Sequence, residues 1–185
     1  AQAVTLEGLA NMEKDSSGKY VFAIADSAKA LAAASSSVLD AIGGTITVSY
    51  SNAADVLTAA QATALLAADA ASSVLSVTGT SMVISDTSSN LLSSANATAV
   101  ASSRSITVTD AVSASTLAAV KSAGGVADSE VYSYKLIDSA ANLLAAGTVV
   151  IDTASSVQVT GTTTVGYADY LDSLKEASVS NSTVV

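Results

Sequence analysis

The stretch Tyr-Ser-Tyr-Lys-Leu-Ile-Asp-Ser-Ala-Ala-Asn-Leu at Tyr132–Leu143 constrains the fold more than any other, because versions of it recur. Tyr20–Leu31 aligns with it without a gap. Thr80–Leu91 is a looser copy, in which Met82 and Ile84 stand for Phe22 and Ile24, and Asp86-Thr87 for Asp26-Ser27. Each copy alternates apolar and other residues up to an Asp-Ser or Asp-Thr pair, then reaches a Leu five positions past the Asp. Alternation is the period of a strand with one buried face, and Asp-Ser/Thr ahead of an Ala/Leu-rich run is a helix start. The unit reads as strand, cap, helix.

A further strand follows each copy. Ile46-Thr47-Val48, Ile106-Thr107-Val108 and Val157-Gln158-Val159 begin twenty, twenty and nineteen residues after the Asp, while the Asp itself recurs after sixty and then fifty-two. Constant inner spacing with variable outer spacing marks a folded repeat with an insertable loop. The predicted organisation is a lead-in helix or linker at 1–19, three strand-helix-strand-helix repeats at about 20–72, 73–128 and 129–178, and a tail at 179–185.

Within this frame the expected first strand is Tyr20–Ala25, with Tyr20, Phe22 and Ile24 on one face. Asp26 or Ser27 should cap a helix to about Ile42, closed by Gly43-Gly44 as a C-terminal cap. Further helices are expected from Ser51-Asn52 to Ala71, over Ser113–Ala123 and over Thr164–Ala177. Val149–Ile151 reads as an extra strand or a buried stop. Leu57 and Leu117, each eleven residues past the Ile, are matched to one another. One ambiguity of register stays open, because Val77–Thr80 also matches Val159–Thr162.

Strands and helices alternating within so short a unit imply parallel strands with crossovers, hence the α/β class. The preferred arrangement is a solenoid-like parallel stack of repeated short strand–helix units; a compact parallel sheet covered by helices is the alternative. Apolar residues make up 50% of the chain but aromatics only 4%, so the core stock is small aliphatic side chains that suit thin, regular layers.

The net charge is −9 and the seven Lys+Arg are scattered singly. A nucleic-acid binder needs clustered cations to displace phosphate counterions, and an anionic membrane surface repels such a chain. The apolar run Val56–Ala68 is interrupted by Thr58, Gln61 and Thr63 and falls short of the roughly 20 residues of a spanning helix. No nucleic-acid partner and no membrane insertion are expected.

With no His and no Cys, Ser-His-Asp, Cys-His and zinc chemistry are excluded. Neither nucleotide-cradling glycine motif occurs. The nearest carboxylate pairs, Asp128 with Glu130 and Asp169 with Asp172, lie in polar surroundings, so no catalytic or cofactor-binding residue is assigned and no enzyme is expected. Asp26, Asp86 and Asp138 are calcium candidates, since carboxylates repeated along a stack could hold cations. The glycine-rich β-roll nonapeptide and the EF-hand loop are both missing, however. The favoured role at that position is acceptance of a hydrogen bond from a first helical turn, worth about 1 kcal/mol. Tyr20, Tyr132, Tyr134, Tyr167 and Tyr170 are expected to pack the unit rather than to display a glycan platform. Asn96-Ala97-Thr98 and Asn181-Ser182-Thr183 are glycosylation sequons.

Asp138–Leu143 followed by a Val-x-Val-Thr strand resembles the tandem repeats of very large secreted or cell-surface bacterial proteins, of the adhesin and surface-layer kind. Those repeats read Ile-x-Asp-Thr-Ala-Ala-Asn-Leu and then Ile-Thr-Val-Thr-Asp. Leu136–Leu143 and Ile106–Asp110 match best, while Tyr20–Leu31 departs at Lys29 and Ala30, and Thr80–Leu91 at Ser88 and Ser89. The resemblance implies a surface, adhesive, sheath or filament role and carries no active site. The expected function is a non-enzymatic structural or interaction module of an extracellular surface or filament assembly. Its partners would be neighbouring repeats or copies of the same protein, as a homo-oligomer or polymer. The alternative is an adhesin-type module binding glycan or calcium, using hydroxyl-rich faces such as Thr160–Thr164. A Ser/Thr/Ala/Val-rich, acidic, Lys-poor chain fits an extracellular or cell-surface location.

Overall fold

The computed structural model describes residues 13–34, 36–49, 55–77, 82–124 and 132–161, together with strand residues 164–165, 178–179 and 183–184. In chain order the elements are β1 (Ile24–Ser27), α1 (Ala28–Ala32), α2 (Ser36–Asp40), β2 (Ile46–Ser49), α3 (Ala59–Ala71), β3 (Leu75–Ser76) and β4 (Val83–Asp86). Then come α4 (Ser88–Leu91), a 3-10 turn (Ser94–Asn96), α5 (Ala97–Ser102), β5 (Ser105–Val112), α6 (Ala114–Gly124) and β6 (Tyr132–Ser139). The chain continues through α7 (Ala140–Ala146), α8 (Thr148–Asp152), β7 (Ser156–Thr160), β8 (Thr164–Val165), β9 (Ser178–Val179) and β10 (Thr183–Val184).

The class is α/β with parallel sheets flanked by helices. One sheet has the order β1-β2-β3, a second β4-β5-β6-β7-β9, and β8 pairs with β10; every strand pair is parallel. Within β1-β2-β3 and β4-β5-β6-β7 strand order follows chain order, as expected when each strand returns by a short helical crossover to lie beside its predecessor.

The repeat predicted from sequence is a repeat of register. Ile24 lies opposite Ile46, Ile84 opposite Ile106 and Leu136 opposite Val157. Two residues on, Asp26, Asp86 and Asp138 face Val48, Val108 and Val159. This resolves the third copy in favour of Val157–Val159. The next pairing also repeats, because Ile46 faces Leu75 and Ile106 faces Tyr132. Leu57 then bridges Ile84 as Val112 pairs with Leu136. Leu57 therefore corresponds to Val112, not to Leu117, which sits a turn into α6. The eleven-residue match fails because eight residues separate Val48 from Leu57 and three separate Val108 from Val112.

Burial alternates along the strands, as the sequence pattern required. On β5 and β6 the buried set is Ile106, Val108, Val112, Tyr132, Tyr134 and Leu136, and their neighbours face outward. Tyr20, Phe22 and Ile24 are half-buried between exposed Val21, Ala23 and Ala25. The buried residues form one continuous core, with Ala59, Ala62 and Leu65 of α3 at its centre, all 0% exposed.

Several boundaries differ from expectation. The first strand is Ile24–Ser27; Tyr20 only bridges Lys14 and Ile42. Lys14 and Tyr20 flank a turn at Ser16–Gly18, so residues 13–19 are not helical, and the rest of the lead-in lies outside the described residues. The expected helix to Ile42 is two short pieces, α1 and α2. The Gly43-Gly44 pair is no left-handed cap: among the described residues the glycines with positive φ are Gly18, Gly147 and Gly161. Gly44 is glycine because the Phe22 carbonyl occupies the place of a Cβ. The second helix starts at Ala59 behind a Thr58–Gln61 capping box, while Ser51-Asn52 lie outside the described residues. Val149–Ile151 is part of helix α8; Ile151 is buried and Val149 is 64% exposed. Thr164–Val165, expected to open a helix, are a strand, and the remainder of that helix lies outside the described residues. Ser178–Val179 and Thr183–Val184, expected as the end of the last repeat and its tail, pair as strands.

Candidate functional site

The recurring Asp closes β1, β4 and β6 at their C-terminal ends. The residue after it is the N-cap: Ser27, Thr87 and Ser139 share φ of −66, −69 and −67° and ψ of 151, 153 and 153°. Their hydroxyls accept from the backbone N–H of Ala30, Asn90 and Asn142 at 3.1, 3.4 and 3.3 Å. Capping, which the sequence left open between Asp and Ser, belongs to the hydroxyl.

The Asp does something else. Its Oδ1 accepts from the next backbone N–H at 2.8 Å in all three copies. In the second and third copies the Asn four residues on also donates its Nδ2–H to that oxygen, at 2.7 Å. The other oxygen reaches an earlier helix: Ala59 N–H donates to Asp86 Oδ2 and Ala114 N–H to Asp138 Oδ2, both at 3.0 Å. Ala59 and Ala114 are the first residues of α3 and α6. Each carboxylate therefore bridges two helix N-termini, whose unpaired N–H groups and dipoles both favour negative charge.

Asp110, near the end of β5, makes a related clasp. It accepts from the Ser88 N–H and the Ser88 hydroxyl, both at 2.7 Å, at the start of α4. Burial by itself would raise its pKa, but the bonds from Ser88 outweigh that and hold the carboxyl below the ordinary value. Asp138 behaves alike. Desolvation pushes its pKa up, yet the Asn142 side chain and the Ser139 and Ala114 N–H groups pull it below the ordinary value.

As calcium candidates, Asp26, Asp86 and Asp138 share a backbone setting without sharing a site. Asp86 and Asp138 are separated by β5, so at least two strand spacings, about 10 Å, lie between them, and Asp26 is in another sheet. The N–H hydrogens aimed at Asp86 and Asp138 bring positive charge where a cation would sit. Among the described residues no group of three or more His, Cys, Asp or Glu is placed to hold a metal ion.

The remaining candidates disperse. Tyr132 and Tyr134 are buried at 6% and 1% exposure, and both hydroxyls are tied to backbone carbonyls, of Lys121 at 3.3 Å and Val150 at 2.8 Å. Asn96 of the first sequon is also buried. Its amide donates to the Asn90 carbonyl at 2.9 Å and accepts from the Thr63 hydroxyl at 3.0 Å, so the folded chain does not present it for glycosylation. Asp128, Glu130, Tyr167, Asp169, Tyr170, Asp172 and Asn181 lie outside the described residues.

Sequence reasoning missed Asn90, Asn142 and Asp110. The first two carried a signal, Asp-(Ser/Thr)-x-x-Asn at i,i+4 in Asp86–Asn90 and Asp138–Asn142. The link to the earlier helix carried none, because Ala59 and Ala114 contribute only backbone. Comparison with models of known protein families, with curated proteins and with solved structures finds no match.

Proposed function

We propose that the chain is a non-enzymatic structural module of an extracellular surface or filament assembly, built as a solenoid-like parallel stack and acting through association with copies of itself. The observation that carries this reading is the clasp: in the second and third copies the same carboxylate, at the same register, fastens its strand to the helix before it. Support for a single stack comes from the register, in which β3 and β4 correspond to the two halves of β6, and β2 with Leu57 to β5. On that correspondence the two sheets are one succession of layers. Repeats of this kind bury apolar faces against like neighbours, and a further copy can supply such a neighbour. Electron microscopy and light scattering of the purified chain test it: filaments, sheets or discrete oligomers are expected, and a monomer at every concentration would overturn it.

A second reading is an adhesin-type ligand-binding module. It is favoured by the outward side of the strands, where Ser85, Thr107 and Ser133 are cross-strand neighbours, as are Thr47 and Ser76. Rows of hydroxyls at strand spacing form a flat, uncharged hydrogen-bonding surface. Saturable binding on a glycan array, lost on substituting Thr107 and Ser133 by Ala, would favour this reading over the first.

A further inference from the structure

Two grooves run between helices of successive layers. The one between α1 and α3 is lined by Leu31 and a row of alanines and contains no charge. The one between α6 and the α7–α8 pair encloses about 390 Å³ and differs in kind. Its floor is apolar, with Leu117, Ala118, Ala146 and Val150, but Lys121 stands in its lining. The Lys121 ammonium lies 5.0 Å from the ring centre of Tyr134 and 5.6 Å from that of Tyr132, and no carboxylate among the described residues pairs with it. Burial lowers its pKa from the ordinary value. The α6 N-terminal end of the groove is polar, with Ser115 and the Asp138–Asn142 pair. Ala114 and Lys121 are seven residues apart on α6, about 10 Å along the axis at 1.5 Å per residue.

We propose that this groove binds a small amphipathic carboxylate, its head on the Lys121 ammonium and its hydrocarbon chain along Leu117, Ala118 and Val150. A half-buried cation with no counter-ion among the described residues, at the end of an apolar trough, is complementary to one negative charge joined to an apolar tail, and a volume in the range of small-molecule sites accommodates it. The polar end limits the tail. An extended eight-carbon chain, roughly 9 Å long, fills the trough, and further methylenes would run onto Ser115 and Asp138.

The test is calorimetric titration of the whole chain with butanoate, octanoate, dodecanoate and octanol. Octanoate should bind saturably at one site, more tightly than butanoate, with no further gain for dodecanoate and weaker binding for octanol. Lys121→Met keeps the apolar stem and removes the charge. It should weaken octanoate by about tenfold or more while leaving octanol unchanged. Leu31→Ala, in the uncharged groove, should leave octanoate binding as it was. No saturable binding, equal binding of octanoate by Lys121→Met, or affinity that keeps rising to dodecanoate would each overturn the proposal.

Discussion

At the scale of single residues, the same Asp carries different weight in different copies. Asp138 holds two backbone N–H groups and one side-chain amide across two helices, whereas among the described residues Asp26 accepts from the Ser27 N–H alone. A hydrogen bond to a charged group contributes about 1.5–3 kcal/mol, and its loss strands the donors at two helix starts. Asp138→Ala should lower unfolding free energy by about 2–3 kcal/mol and Asp26→Ala by about 1 kcal/mol, read from urea denaturation at pH 7. The sign of the pH dependence follows. The folded-state pKa values of Asp138 and Asp110 lie below 3.8, so their contribution is fully present above that pH and is lost as pH falls through the lower folded value. Stability should therefore decline on acidification below about pH 4, and the gap between wild type and Asp138→Ala should close there. A gap that does not narrow as the pH falls toward full carboxyl protonation would show that the residue acts through packing rather than charge.

At the scale of elements, most helices here are too short to stand alone. α1, α4, α5, α7 and α8 run 5, 4, 6, 7 and 5 residues, below the length at which nucleation is repaid in water, so they exist through their docking, helped in α1, α4 and α7 by a hydroxyl cap. Among the described residues only α3, alanine-rich over 13 residues, and α6, over 11, approach independence. The close approach of elements depends on two glycines that play different parts. A Cβ at Gly44 would collide with the Phe22 backbone carbonyl, which cannot swing away. One at Gly124 would meet the Tyr132 hydroxyl and the Ile106 side chain, which can. Gly44→Ala should thus be the more damaging, at about 3 kcal/mol against about 1 kcal/mol for Gly124→Ala, measured by thermal or urea unfolding. Equal losses would mean that the Phe22 segment is more yielding than its geometry implies.

At the scale of the whole molecule, α3 joins what the strand ladders leave apart. It packs on α1, α4, α5 and β4, and the Leu57 bridge just before it holds Ile84 of the second sheet. One core then spans both sheets. Leu65→Ala, at a site with no exposure, should cost about 3 kcal/mol. The variant should still unfold in one step, with coincident far-ultraviolet circular dichroism and tyrosine fluorescence. Two separated transitions would show that the sheets are energetically independent.

The sequence by itself determined the repeat. Alternation before Asp26, Asp86 and Asp138, and the spacing to Ile46, Ile106 and Val157, fixed parallel pairing and register, because a one-residue slip would turn every buried side chain to the outside. It also determined the caps, since Ser27, Thr87 and Ser139 act on neighbours three residues away. Where contacts leave the local chain, the tertiary structure decided. Ala59 and Ala114 meet their carboxylates across 27 and 24 residues through backbone N–H groups that any residue but proline would supply, so no letter of the sequence marks them. Gly44 looked like a helix end and proved to be a clearance, because the atom it avoids belongs to a segment 22 positions away that only the fold brings near.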